Sequence, residues 1–321
     1  MDIDKLPPKI GRLMYLETLD IRETKVLVLP KSVLELHRLT NLLGGNKKRR
    51  KSLRLPKELA SRPIVTLRIL SGIEIVEGLF ALTDLHYFTT LRKLLIYRLN
   101  LQKDSLGFKD LMSSIEYLGG GHLQSLEIDD ETSDFVNSLD SMASPPKHLT
   151  ALHLHGKLLS VPEWIPNLDD LIKLTLSVTV LRTDTFELLA SMPSLFCLTF
   201  SFSAEKQDSD LVGILDKNKL DSGGSISVPG GGYKSLKLLR FIAPILPSLN
   251  FSEGAMPELQ RIDLQFTKLE GLNNMDNLAS LREVHLTMNK QADAATREKA
   301  SGLATAARGG ANKLRVIVDA W

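Results

Sequence analysis

Residues Leu16 to Pro30 read LETLDIRETKVLVLP. Leu16, Leu19, Ile21, Val26, Leu29 and Pro30 follow L-x-x-L-x-I, four further residues, then V-x-x-L-P. A helix sets its apolar residues 3.6 apart and a half-buried strand sets them 2.0 apart, and neither period yields this grouping. The stretch is either one irregular segment or one turn of a repeat, and the rest of the chain decides which.

The pattern recurs. L-x-x-[LIV]-x-[LIF] returns at Leu91/Leu94/Ile96, Leu123/Leu126/Ile128, Leu149/Leu152/Leu154 and Leu171/Leu174/Leu176. It continues at Leu195/Leu198/Phe200, Leu236/Leu239/Phe241, Leu259/Ile262/Leu264 and Leu281/Val284/Leu286. Weaker copies lie at Leu39/Leu42 and Ile64/Leu67/Ile69, and LRVIV from Leu314 reads as a closing strand. The starts from Leu16 to Leu281 are spaced by about 26 residues on average, within the range of a leucine-rich repeat.

In LQSLEID, Leu126 and Ile128 alternate with Ser125, Glu127 and Asp129, so one strand face is aliphatic and the other polar. A single unit cannot cover its own aliphatics; stacked units bury them in one continuous core. Outer segments carry LVLPKSV, LRLPKEL and SVPEWI, where proline fixes φ, ends the strand and admits a short helical turn. The expected fold is an α/β solenoid, a leucine-rich-repeat horseshoe. Its parallel β-sheet lines the concave face, and its convex segments are irregular or short and helical. It is expected as a single domain over residues 1–321, of about 11–12 irregular repeats. Two intervals are long. KDSLGFKDLMSSIEYL predicts a convex helix, and residues 203–235, with DSGGSISVPGGGYKS, predict a Gly/Ser-rich loop projecting from the solenoid.

Composition narrows the function. Lys and Arg number 40 against 38 Asp and Glu, so no global pull toward nucleic acid or an anionic membrane arises. The single cysteine, Cys197, rules out an internal disulfide framework and fits a reducing, intracellular setting. The N-terminal MDIDKLPPKIGRL has no apolar core of a secretory signal. LLRFIAPILPSLNF, from Leu238, is too short for a membrane span and carries Arg240 and two prolines. H-E-x-x-H and G-x-S-x-G are both absent, so no enzyme is expected and no cofactor is assigned.

Longer text carries a resemblance. LPPKIGRLMYLETLDIRETKVLVLPKSVLELHRLTNLLGGNKKRRKSLRLP, SIEYLGGGHLQSLEIDDETSDFVNSLDSMASPPKHLTALHLHGKLLSVPEWI and LIKLTLSVTVL resemble the repeat region of plant intracellular immune receptors. These are receptors of the nucleotide-binding, leucine-rich-repeat class, and the likeness is to the coiled-coil subclass common in cereals. The resemblance implies a region that senses pathogen effectors or changes in guarded host proteins. It also implies packing against a nucleotide-binding domain that holds the receptor inactive. The chain departs from those receptors in lacking a G-x-x-x-x-G-K-[ST] phosphate loop: in GGGYKS, Tyr233 separates the glycines from Lys234. No coiled-coil heptads precede the repeats, and the opening DKLPPKIG reads as the inside of a repeat. A truncated receptor is therefore expected, with a freestanding intracellular scaffold or substrate adaptor as the alternative.

Each candidate site has a bland counterpart. The run Lys47, Lys48, Arg49, Arg50, Lys51 matches a nuclear-localisation or nucleic-acid patch but reads better as a solvated loop. It still gives that end a positive field for an acidic partner or domain. His153 and His155 share the outward face of one strand, roughly 6.5–7 Å apart, yet no further ligands complete a zinc site. EIDDE (Glu127 to Glu131) lacks the calcium-loop pattern; Glu127 and Asp129 point to the concave face and read as a docking stripe for a basic partner. Cys197 has no histidine near it in the repeat register.

The residue between the two inward aliphatics runs Asp20, Leu43, Arg68, Leu95, Glu127, His153, Thr175, Thr199, Arg240, Asp263 and His285. Arg22 and Tyr97 stand beside this column, which mixes acid, base, imidazole and aliphatic groups. On a rigid sheet such a mixture suits protein recognition, where a few anchors dominate. The expected partners are proteins, and no metal, nucleic acid or membrane span is assigned. The expected location is the cytoplasm, with the basic run leaving a nuclear role open.

Overall fold

The computed structural model describes residues 3–47, 51–60, 63–78, 82–130, 133–178, 181, 183–201, 225–309 and 314–321. The chain divides into two compact units, Met1–Gly156 and Lys157–Trp321.

The first unit is built on β1 (Thr18–Asp20), β2 (Asn41–Leu43), β3 (Ile69–Val76), β4 (Lys93–Asn100), β5 (Ser125–Asp130) and the greater part of β6 (Ala151–Leu158). They pair in chain order and all in parallel. The register lays Leu19, Leu42, Leu70, Leu94, Leu126 and Leu152 side by side, and all six are buried. Burying each such leucine contributes about 1.5–3 kcal/mol, so the stacked column supplies much of this unit's cohesion. Hydroxyls staple the turns before the strands: Thr66 Oγ1 donates to the Leu39 carbonyl at 2.8 Å and Thr90 Oγ1 to that of Leu67 at 2.9 Å.

The proline-stopped segments turn as expected, with 3-10 turns at Lys31–Glu35 and Lys57–Ala60. The expected convex helix is α1 (Leu106–Gly119), capped by Ser105 Oγ, which accepts from the Phe108 amide at 3.2 Å. Phe108, Leu111, Ile115 and Leu118 form its buried face.

One register differs from the sequence reading. Ser71, and not Arg68, stands between Leu43 and Leu95. The third repeat is Leu67/Leu70/Ile73, because β3 bulges between Ser71 and Ile73 and takes in one extra residue, Gly72. Arg68 lies exposed ahead of the strand, its carbonyl accepting from the amides of Arg92 and Lys93.

In the second unit, β7 (Lys173–Val178), β8 (Cys197–Ser201), β10 (Leu238–Ile242), β13 (Arg261–Phe266), β16 (Glu283–Met288) and β17 (Arg315–Ala320) pair in that order, again in parallel. Some return segments here are extended. β9 (Ser225–Val228), β12 (Ser248–Phe251) and β15 (Leu272–Asn273) form a second parallel sheet, and β11 (Ile245–Leu246) pairs with β14 (Lys268–Leu269). Two helices complete the unit, α2 (Thr183–Leu189) and α3 (Ala294–Gly309).

Of the loop expected at 203–235, residues 203–224 lie outside the described residues. The remainder corrects the expectation. Ser225–Val228 is a strand, and Tyr233 is fully buried, its hydroxyl donating to the Phe186 carbonyl at 2.7 Å. Tyr233 and Phe186 lie 6.4 Å apart between ring centroids, and Phe186 lies 5.3 Å from Phe200, so the aromatic overrides the glycines around it. Burial pushes the Tyr233 hydroxyl far above its ordinary range.

Candidate functional site

The outward residues of each unit's sheet are held by the strand alternation that buries the leucines. In the first unit, β5 and β6 set Glu127 opposite His153 and Asp129 opposite His155. Asp20 and Arg22, by contrast, pair with one another at 2.7 Å, and both are exposed. That contact, through the Arg22 guanidinium, holds the Asp20 carboxyl below its usual range.

Glu127 is the centre of the first unit's face. Its side chain is 14% exposed, and Oε1 takes a hydrogen-bonded ion pair from Lys47 Nζ. His155 Nε2 lies 3.7 Å from the same oxygen. Burial alone would raise the Glu127 carboxyl; Lys47, with help from the two histidines, outweighs it and leaves the acid below its usual value. Burial, reinforced by the positive charge of Lys47, pushes His155 down to about 4. At neutral pH that ring is therefore uncharged and adds no ion pair. Tyr97 is half-buried beside them; burial raises its phenol, partly offset by a hydrogen bond with Ser71. Asp129 and His153 hold contacts of their own.

The acidic stretch splits by role. Asp130 turns inward and is 2% exposed. Its carboxylate accepts from the Ser133 amide at 2.8 Å, the Ser133 hydroxyl and the Val136 amide at 3.0 Å, which fixes the loop after β5. Glu131 lies outside the described residues.

Of the basic run, Lys48, Arg49 and Arg50 lie outside the described residues. Lys47 and Lys51 are described, and Lys47 reaches a residue 80 positions away. The basic run and the acidic strand, read from the sequence as separate features, are thus joined at Lys47 and Glu127. Sequence reasoning also missed Glu74, whose buried carboxylate accepts from Arg54 Nε at 2.7 Å and Ser52 Oγ at 2.8 Å. A glutamate inside the apolar run ILSGIEIV was the available signal.

The second unit brings Arg240, Asp263 and His285 onto one face. Asp263 takes Arg240 Nη2 at 2.9 Å on one oxygen and Arg261 Nε at 2.5 Å on the other. Partial burial would raise this carboxyl, and the two guanidinium groups bring it below its usual value. Arg261 Nη2 also lies 3.4 Å from His285 Nδ1, and His285 Nε2 lies 3.3 Å from Glu283. Arg261 and Glu283 escaped the column because they sit two residues ahead of it, on the same face. Cys197 is half-buried, 4.0 Å from Thr199 Oγ1. Among the described residues, no three His, Cys, Asp or Glu side chains gather to hold a metal. Among them, too, no helix is long and apolar enough to cross a membrane.

Disease resistance protein Pik-2 of Oryza sativa subsp. japonica is 50% identical over 328 residues, covering 92% of this chain and 32% of that protein. Disease resistance protein PIK6-NP of the same organism is 47% identical over 350 residues, covering 99% of this chain and 33% of its own length. The chain thus spans about a third of the length of these relatives. A solved leucine-rich-repeat protein of Leptospira interrogans aligns with 98% of this chain and 75% of its own, at 19% identity and a TM-score of 0.48. The pattern described as "Leucine-rich repeat region" matches residues 1–314, and on that match the chain belongs to the leucine-rich-repeat family.

Proposed function

We propose that this chain is the recognition and autoinhibitory segment of a plant intracellular immune receptor of the nucleotide-binding, leucine-rich-repeat class. The outward sheet faces bind a pathogen effector or a guarded host protein, and the repeats also pack against a nucleotide-binding domain, in cis or on another chain. The observation that carries the reading is the likeness, at 50% identity, to a rice disease resistance protein about three times as long. The geometry supports it. Charged and aromatic groups stand on a hydrogen-bonded sheet, where a few well-placed anchors suffice for protein recognition. A ligand switches such a receptor only by binding its open state better than its closed one. The location that goes with this role is the cytoplasm.

The test is an immunoblot and immunoprecipitation from source tissue with antibody against residues 1–321. The expected result is a band several times heavier than 35.6 kDa, or a co-precipitated nucleotide-binding protein. A band near 36 kDa with no nucleotide-binding protein beside it overturns the reading in favour of a freestanding scaffold.

A further inference from the structure

β2 and β5 are three strands apart, about 14 Å across the sheet, farther than a lysine side chain spans. Lys47 follows β2 by four residues yet bonds Glu127 on β5. The chain therefore has to carry this lysine over the face, and the base of the excursion is held firmly. Asn46 and Lys51 exchange backbone hydrogen bonds at 2.7 and 3.0 Å, closing an antiparallel bridge. Beyond the bridge, the Leu53 amide donates to the Gly72 carbonyl at 2.7 Å, and Ser52 and Arg54 are both bound by buried Glu74. Lys47, beside the bridge, seats its ammonium group on a carboxylate that is mostly withdrawn from water.

We propose that Glu127, flanked by Tyr97, His153 and His155, is a cation-binding notch on the first unit's face, and that Lys47 is its internal occupant. A protein partner docks there by inserting a lysine or arginine of its own in place of Lys47. The proposal rests on the recognition reading above and deepens it by stating the chemistry of the partner at this point. Charge complementarity selects the occupant. A buried carboxylate needs a cation at neutral pH, and the neighbouring His155 is held neutral and cannot supply one. While Lys47 is seated the notch is closed to others, so the apparent affinity for an external cation is lowered by the fraction of time Lys47 occupies it.

The experiment uses the whole chain and a fluorescent hexalysine peptide, with binding read by anisotropy at physiological salt. Lys47→Ala is expected to tighten hexalysine binding by about tenfold. Lys51→Ala changes net charge equally and is expected to leave binding as it is. Glu127→Gln added to Lys47→Ala is expected to abolish the gain. Equal effects of the two alanine variants, or a gain that survives Glu127→Gln, overturn the proposal. The swapped pair, Lys47→Glu with Glu127→Lys, keeps the internal contact should Lys47→Ala fail to fold. Tight hexalysine binding by the swap also overturns it. This outcome is separable from the immunoblot: the notch stands or falls on Lys47 and Glu127 whether or not a nucleotide-binding protein is found.

Discussion

The two units carry the same repeat and the same outward register, yet they neutralise their faces in different ways. In the second unit the charges meet across neighbouring strands: Asp263 on β13 takes Arg240 from β10 and Arg261 from its own strand, and His285 on β16 closes the row. In the first unit the carboxylate of Glu127 takes its lysine from a hairpin 80 residues upstream. A ladder of adjacent charges forms with the sheet itself. A lysine delivered from a distance exists only if its hairpin is anchored, so the first face depends on backbone geometry that the second does not need.

The anchor is where the largest effect is expected. Gly72 has φ +80°, and a Cβ there would lie 2.0 Å from the Gly44 carbonyl oxygen, so alanine forces backbone apart. Gly72→Ala is expected to cost about 3 kcal/mol or more and to release the contact between Lys47 and Glu127. Gly231 in the second unit has a similar φ of +77° with open space around the added carbon, so Gly231→Ala is expected to cost only about 1 kcal/mol. Urea denaturation of both variants checks this. Equal midpoints would show that the bulge of β3 does not brace the hairpin.

The next effect is pH-dependent. His155 takes its proton near 6.5 when unfolded but stays neutral down to about 4 in the fold, held there by burial and by Lys47, against the pull of Glu127. Acid therefore loads the unfolded state first. Stability is complete above about pH 6.5 and declines as the pH falls toward 4, by roughly 3 kcal/mol over that window. His155→Gln is expected to flatten the slope. A wild-type slope in that variant would place the acid sensitivity elsewhere.

The parts legible in the sequence were those built from short-range spacing. The inward-leucine strands of the repeats, the α1 helix and the proline-stopped turns follow from residues a few positions apart, whereas the extended return segments of the second unit, β9, β11, β12, β14 and β15, do not. Arg68 was misplaced because one bulged residue, Gly72, shifts the pattern without leaving a gap in the leucines. Tyr233 was hidden among glycines that signal a loop, although an aromatic cluster 30–50 residues earlier buries it. The link between Lys47 and Glu127 was illegible for another reason: both ends read as solvated charge, and only the fold sets them within reach. It also divides the docking stripe read from the acidic strand into two unlike residues. Lysine at 129 alone leaves the Glu127 contact in place, whereas lysine at 127 opposes Lys47 in a site that is mostly buried.

The smallest effects belong to the second unit's ladder, and they come with a signature. Arg240 and Arg261 are each about two-fifths exposed, and such surface pairs are worth about 0.2–1 kcal/mol. Asp263 is only 15% exposed, however, and each arginine covers one of its oxygens. Removing either leaves the carboxylate one cation, so Arg240→Ala or Arg261→Ala alone is expected to cost about 0.5 kcal/mol, less at high salt. Removing both leaves a partly buried charge with neither guanidinium, and the double variant is expected to cost about 2 kcal/mol, more than the sum of the singles. A double-mutant cycle by denaturation measures the excess. If the two changes simply add, the arginines act as independent surface charges. The second face is then no ladder, and its contrast with the anchored lysine of the first disappears.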